Sequence, residues 1–136
     1  MGFDYGNRRI GVAVGQTLTA NANPLATIKN GPQGVDWDAI SSLITQWQPD
    51  RFVLGLPLHA DGSKSKITDA VNNFGDQLQA RYNLPVEKID ERLSSHEAEQ
   101  RMLENGLSKK KRKADLDQYA AKVILDTWFL EYSVRE

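Results

Sequence analysis

The 136-residue sequence contains no cysteine. A disulfide framework, a thiolate metal site and a cysteine nucleophile are therefore excluded. The sequence also lacks any apolar run that approaches the roughly 20 residues of a membrane-spanning helix, and no charged, apolar and cleavable signal precedes its first strand-like segment. We therefore expect a soluble, cytoplasmic protein with no membrane partner. Residues 1–136 are expected to form one domain, because this length buries a core without covalent staples.

Charge is unevenly distributed along the chain. The chain has 17 lysines and arginines against 18 aspartates and glutamates, which gives a formal net charge of −1. Five of the basic residues are consecutive, namely Lys109, Lys110, Lys111, Arg112 and Lys113. This basic segment carries +5 and the rest of the chain about −6. Such a run is either a solvated loop or a contact for a polyanion such as nucleic acid.

The spacing of apolar residues predicts an opening antiparallel hairpin. Ile10, Val12 and Val14 alternate with small residues, which is the two-residue period of a strand. Gly6-Asn7 before them indicates a tight turn, because both residues tolerate positive φ. A third strand is predicted over residues 20–29, followed by a loop at 31–34.

Helices and strands are predicted to alternate in the rest of the chain. A helix capped by Asp36, with Trp37 and Trp47 in the core, should end at Pro49. An apolar strand at 51–55, a helix that starts at Ser63 or Ser65, a strand at 86–90, a helix at 94–105 and a last helix after Asp115 should follow. We therefore predict an α/β fold with a mixed five-stranded sheet, an opening hairpin, βαβ units and helices on both faces, which is typical of ribonuclease-H-like proteins.

Three acids occupy positions that favour metal chemistry. Asp4 lies on the first strand, Glu91 at the exit of the last strand and Asp117 in the first turn of the last helix. Carboxylates from separate elements can converge on hard divalent cations, which take oxygen ligands, and such ions promote phosphodiester hydrolysis. Each acid also has a simpler explanation, since Asp4 can stabilise a turn, Glu91 can be exposed and Asp117 can complement the helix dipole.

Four ordered motifs resemble those of the YqgF/RuvX family. They are D-Y-G-N-R-R-I-G-V-A-V-G at 4–15, G-L-P-L at 55–58, D-E-R-L-S-S at 90–95 and D-x-x-A-A-x-x-I-L at 117–125. Proteins of this family are named as Holliday-junction resolvases and as nucleases that mature the 5′ end of 16S ribosomal RNA. The resemblance implies a ribonuclease-H-like fold and a site for Mg²⁺ or Mn²⁺ formed by Asp4, Glu91 and Asp117. Asp117 is preferred to Asp115 because Ala120-Ala121 fixes the register of the last motif.

Basic residues are predicted to bind nucleic acid around this acidic site. They are Arg8, Arg9 and Arg92, which flank the acids, and Lys109, Lys110, Lys111, Arg112 and Lys113 of the basic segment.

The leading hypothesis for the function is a metal-dependent endonuclease, a hydrolase of ester bonds, that matures precursor 16S ribosomal RNA, with ribosomal particles as a partner. One alternative is cleavage of four-way DNA junctions, which requires a symmetric homodimer rather than a monomer. Another is a non-catalytic factor that binds nucleic acid or assists ribosome assembly. A phosphate-binding ATPase is disfavoured, because that class needs two such domains around its nucleotide.

Overall fold

The structure, a computed structural model, describes residues 1–16, 21–57, 67–90 and 113–135. Its strands are β1 (Gly2–Tyr5), β2 (Arg9–Gln16), β3 (Asn21–Gly31), β4 (Gly34–Val35), β5 (Phe52–Leu56) and β6 (Val86–Asp90). The helices within these ranges are α1 (Trp37–Trp47), α2 (Thr68–Tyr82) and α3 (Lys113–Arg135). The helix predicted at 94–105 lies outside the described residues.

The strands form one mixed sheet with β1 at an inner position, in the order β4-β3-β2-β1-β5-β6. β1 pairs antiparallel with β2 and parallel with β5, and β6 continues the parallel half. Helices α1 and α2 pack on one face of the sheet, and α3 packs on the other. The predicted α/β architecture, with its opening hairpin and helices on both faces, is therefore confirmed.

The sheet has six strands rather than the predicted five. The additional strand, β4, has two residues and pairs with the end of β3, with Asn30 opposite Val35. The backbone N–H of Asp36 also donates to the carbonyl of Lys29 at 3.1 Å, which extends this pairing toward α1. A two-residue strand is too short for an alternating pattern to indicate it, which explains why the sequence predicted a plain loop there.

Large apolar side chains of the central strands face α1 and α2. Phe3 is fully buried and makes edge contacts with Phe52 and Phe74, each at 5.6 Å between ring centroids. Trp37 of α1 stacks on Phe74 of α2 at 5.5 Å, so aromatic rings join both helices to the sheet. Aromatic pairs in these geometries contribute beyond the area that they bury. The predicted core role of Trp37 agrees with these contacts.

Small residues line the opposite face of the sheet, beneath α3. A Cβ atom at Gly11 would overlap the backbone carbonyl of Asp117, and one at Gly2 would lie 3.1 Å from the Cβ of Leu125. At Gly15 a Cβ would lie 2.9 Å from the ring of Phe129. The large residues of β2 therefore face the core beneath α1 and α2. The small residues that alternate with them face α3, whose backbone lies against the strands.

The turn between β1 and β2 differs from its prediction. Neither Gly6 nor Asn7 adopts positive φ, so the prediction that the turn needs residues tolerant of positive φ was wrong. Glycine is instead required at position 6 for steric reasons, because a Cβ there would lie 2.7 Å from the carbonyl oxygen of Arg9. Positive φ occurs at Gln48 and Asn83, which cap the C-termini of α1 and α2 in the left-handed conformation.

Two helix predictions also need correction. Helix α2 begins at Thr68 rather than at Ser63 or Ser65, and the Thr68 hydroxyl donates to the carbonyl of Pro57 at 2.6 Å, which ties the helix start to the end of β5. Trp47 is 43% exposed rather than part of the core. It is the last residue of α1, and Ile40 is the buried residue of that helix. The cap at Asp36 is confirmed, since its carboxylate accepts from the backbone N–H of Ala39.

Across the part of the chain that the structure describes, no helix combines the length and apolar character required to cross a membrane.

We expect Gly11→Ala to destabilise the fold, because the new methyl group would force α3 away from β2. Overpacking of a rigid backbone contact should lower the free energy of unfolding by about 1–3 kcal/mol, as measured by chemical denaturation. Gly31→Ala is the matched control, because a Cβ at Gly31 meets no atom within 4 Å. That variant should leave the free energy unchanged or raise it by up to about 1 kcal/mol. Equal stabilities of the two variants would contradict the close contact.

Candidate functional site

Two of the three predicted acids lie on the same face of the sheet. Asp4 of β1 is directly opposite Gly11 of β2. Asp4 shares the orientation of Gly2, two residues earlier, and the Cβ direction of Gly2 points at α3. The backbone of Asp117 in α3 lies over Gly11. The absence of a side chain at Gly11 therefore brings Asp4 and Asp117 to one place, although they come from opposite ends of the sequence.

The third predicted acid, Glu91, lies outside the described residues. The residue before it, Asp90, ends β6 and pairs with Leu56 at the end of β5. Because β1, β5 and β6 are parallel, their carboxyl ends meet at the same edge of the sheet. The end of β6 is two strand spacings, or about 10 Å, from β1. β6 thus ends, at Asp90, on the edge of the sheet that carries Asp4.

Arg9 forms an ion pair with Asp117 at this site. The Nε of Arg9 donates to Oδ2 of Asp117 at 2.7 Å, and the two side chains are 35% and 26% exposed. Arg9 shares the face of Gly11, two residues later on β2, which directs it toward α3. Partial burial of both groups makes the pair less screened by solvent than a surface pair. A guanidinium therefore stands beside a carboxylate that was predicted to hold a metal ion.

The loop that carries Arg8 and leads into Arg9 is held by Asn30, a residue that no sequence motif identified. Asn30 is buried, its side-chain amide donates to the carbonyl of Gly6 at 2.7 Å, and its backbone N–H donates to the carbonyl of Arg8 at 3.0 Å. Buried amides that satisfy backbone groups in this way fix loop geometry. No sequence pattern marks this role, because its hydrogen-bond partners lie on another part of the chain.

The carboxylates of Asp4 and Asp117 suit a hard divalent cation. Oxygen atoms are the ligands that Mg²⁺ and Mn²⁺ prefer, and the missing Cβ at Gly11 lets the backbone of Asp117 approach the strand pair that carries Asp4. Within the described ranges, no group of three or more histidines, aspartates or glutamates forms a complete metal site. The assignment of Asp4, Glu91 and Asp117 as ligands and catalytic groups therefore stays a prediction.

The predicted nucleic-acid contacts are only partly described. Arg8 is exposed beside the site, and Lys113 is the first residue of α3. Arg92 and residues 109–112 lie outside the described residues. Lys113 precedes Asp117 by four positions, which is about 6 Å along a helix axis. Lys113, the last residue of the basic segment, therefore lies roughly one helical turn from Asp117 along α3.

A cavity of about 540 Å³ lies at the other end of the sheet. Its lining includes Met1, Trp47, Arg51 and Trp128, and no predicted site residue is among the described residues around it. The guanidinium of Arg51 lies 5.3 Å from the ring centroid of Trp128 and also contacts Glu87 at 3.2 Å. The cavity therefore does not coincide with the predicted acidic site, which lies at the opposite edge of the sheet.

Comparison with known proteins gives consistent matches over nearly the whole chain. Residues 1–131 match the family described as "RuvX: Holliday junction resolvase". A protein of Nitrosococcus oceani is 49% identical over 131 residues, which are 96% of this chain and 86% of that protein. A protein of Dechloromonas aromatica is 46% identical over 129 residues, covering 95% and 88%. A protein of Coxiella burnetii is 46% identical over 131 residues, covering 96% and 92%. Each of them carries the name "Putative pre-16S rRNA nuclease".

Solved structures with the same fold come from Thermus thermophilus. RuvC in complex with a Holliday junction substrate has a TM-score of 0.56 and 15% identity, covering 97% of this chain and 94% of RuvC. A second RuvC structure has a TM-score of 0.55 and 12% identity, covering 98% and 95%. At such identities the likeness shows the fold alone, and it confirms the predicted ribonuclease-H-like fold.

We expect Asn30→Ala to destabilise the fold and to increase the mobility of the loop at residues 6–9. The substitution leaves the carbonyl of Gly6 without its donor, which should lower the free energy of unfolding by about 1–3 kcal/mol. Amide hydrogen exchange at residues 6–9 should accelerate at the same time, because the loop loses its side-chain contact. Asn23→Ala at an exposed position of the same strand is the control and should change neither quantity. Unchanged exchange in Asn30→Ala would show that other contacts hold the loop.

Proposed function

The chain belongs to the RuvX family, as its four motifs predicted, and from this premise we propose that it is a metal-dependent endonuclease that matures the 5′ end of precursor 16S ribosomal RNA. The observation that carries the proposal is the placement of Asp4 and Asp117 on either side of Gly11 at one end of the sheet. The names of the relatives support the RNA substrate. A cytoplasmic location and contact with ribosomal particles are parts of the proposal.

In this proposal Asp4, Asp117 and Glu91 hold Mg²⁺ or Mn²⁺. When bound, such an ion lowers the pKa of water and stabilises the leaving oxygen of a phosphodiester. The chain contributes the orientation of the carboxylates. Asp4 is fixed by strand pairing, and Asp117 is fixed by a helix whose backbone rests on that pair of strands. Such rigid support keeps catalytic groups in a productive geometry.

Positive charge near the site provides the affinity for the substrate. Arg8 is exposed on the loop beside Asp4, and the basic segment leads into α3 one turn before Asp117. With Arg9 and Arg92, these residues would neutralise phosphates on an otherwise acidic chain. They would therefore attract a polyanion to the edge of the sheet that bears the acids.

Cleavage of four-way DNA junctions is the second candidate function, favoured by the description of the matched family. Symmetric cleavage of a junction needs two active sites in a homodimer. The two functions are distinguished by incubation of the purified protein with precursor ribosomal RNA fragments and with synthetic junctions, each in Mg²⁺, Mn²⁺ or EDTA. A solution mass measured in parallel separates a monomer from a dimer. Binding of either substrate without cleavage in any ion would favour the non-catalytic factor.

We expect Asp4→Asn to abolish most of the cleavage. The substitution keeps the shape and removes one charge, so the rate should fall by at least about a hundredfold, or roughly 2.7 kcal/mol of transition-state stabilisation. Nucleic-acid affinity in EDTA should hold or improve, because a negative charge near the phosphates is lost. Glu91→Gln and Asp117→Asn should behave alike, and double variants should be far from additive, as for groups that act as one unit.

The matched control is Asp126→Asn. Asp126 lies on α3 with 25% exposure and pairs with Lys122 at 2.6 Å, so it resembles Asp117 in burial and pairing but lies on a later part of the helix. Its substitution should leave cleavage within a few-fold. Normal cleavage by folded Asp4→Asn in both ions would contradict the metal site.

We expect replacement of residues 109–113 by serine and glycine to weaken binding across sequences. Each lost phosphate contact should reduce the log–log slope of affinity against salt by roughly 0.7–0.9. Fluorescence anisotropy with one labelled RNA over a salt series measures the slope, and the melting temperature serves as the control for folding. An unchanged slope would show that the segment is a solvated loop that does not contact phosphates.

A further inference from the structure

The ion pair of Arg9 and Asp117 is not needed to attach α3 to the sheet. The helix is already held by apolar contacts along its length, where Ala121, Leu125 and Phe129 are buried against the strands. A partly exposed ion pair typically contributes less than about 1 kcal/mol to stability. The pair instead lies where the proposed catalytic acids converge, so its main effect is to reduce the net negative charge there.

The geometry of the pair affects how well the carboxylate of Asp117 can coordinate a cation. Oδ2 of Asp117 accepts from Nε of Arg9 at 2.7 Å, which is a strong charge-assisted hydrogen bond. An oxygen engaged in this way is less able to coordinate a cation, and the guanidinium charge also opposes the approach of a divalent ion. At the same time, that charge offsets the repulsion that Asp4 and Asp117 would otherwise experience on one face.

On the basis of the proposed function, we propose that Arg9 is an exchangeable counter-ion of the active site. Without a divalent ion, Arg9 neutralises Asp117. When Mg²⁺ or Mn²⁺ is bound, Arg9 releases the carboxylate, and its guanidinium becomes available to a phosphate of the nucleic acid. Arg9 thus couples ion binding to substrate binding, and by linkage each ligand strengthens the other.

The local structure permits this exchange. Arg9 is the first residue of β2 and lies next to the loop that Asn30 holds, so its backbone is fixed while its side chain is 35% exposed. A long side chain with solvent access changes rotamer on a timescale of nanoseconds. The release therefore requires movement of one side chain and no rearrangement of the sheet or of α3.

The first test measures Mn²⁺ binding by electron paramagnetic resonance in the absence of nucleic acid. Arg9→Met should bind Mn²⁺ about three- to fivefold more tightly than the unmodified protein, since the competing ion pair is removed. Arg9→Lys should fall between the two. Lys122→Met is the matched control, because it removes one positive charge from another Asp pair on α3, where Lys122 Nζ contacts Asp126 at 2.6 Å. Its Mn²⁺ affinity should change by less than about twofold.

The second test requires no substitution. The Nε–H resonance of Arg9 in ¹⁵N-labelled protein should shift, and its exchange with water should accelerate, when Mg²⁺ is added. A third measurement follows the affinity for a fluorescein-labelled RNA hairpin in EDTA and in Ca²⁺. Ca²⁺ should raise the affinity more in the unmodified protein than in Arg9→Met, because only the former has a guanidinium to release.

Three results would overturn the exchange, and they differ from failure of the proposed function. Mn²⁺ affinity that is unchanged or weaker in Arg9→Met, while Asp117→Asn loses binding, would mean that Arg9 only orients the carboxylate. A static Arg9 Nε–H signal in saturating Mg²⁺ would mean the same. An equal increase in RNA affinity on adding Ca²⁺ to both proteins would show that Arg9 does not couple ion binding to nucleic-acid binding. Absence of Mn²⁺ binding in every variant and in the unmodified protein would instead remove the metal site itself, and the exchange with it.

Discussion

The contact between the backbone of α3 and Gly11 is the constraint on which the rest of the structure depends. Because position 11 has no Cβ, the carbonyl of Asp117 can lie directly on β2, opposite Asp4. Gly2 and Gly15 extend this shallow surface along the helix. The α3 face has its own apolar core, which includes Trp128 and Phe129, and the aromatic layer around Phe3 fills the other face. Both faces of the sheet therefore contribute to stability, and the proposed chemistry lies on the α3 face alone.

This placement has an electrostatic consequence. Carboxylates that converge on one face repel each other unless a positive charge lies between or beside them. Arg9 meets this requirement at contact distance. On the proposed function, the basic segment would act over the longer range of screened charges and attract a polyanion, while Arg9 offsets the repulsion between the acids. An acidic chain that binds nucleic acid needs both.

The fold was largely predictable because its pattern is local. Alternation along β2 and the capped, periodic helix after Asp36 each follow from neighbouring residues. The acidic positions were suggested by resemblance to a family, and Asp4 and Asp117 were found on one face. What escaped prediction depends on partners distant in sequence. The hydrogen bonds of Asn30 to Gly6 and Arg8, the short strand β4 and the exposure of Trp47 at the helix end all arise from tertiary geometry that no periodicity encodes.

The pairing of the earliest strands with the last helix also governs when the proposed site can exist. The Arg9–Asp117 contact spans 108 positions of the sequence, so it belongs to the class of non-local contacts that form late and slow down folding. During synthesis the opening hairpin emerges first, and Asp117 can join Asp4 only after α3 has been made and has docked. On the proposed function, a chain whose α3 has not yet docked therefore lacks the complete acidic site and cannot cleave, whatever nucleic acid its basic residues bind.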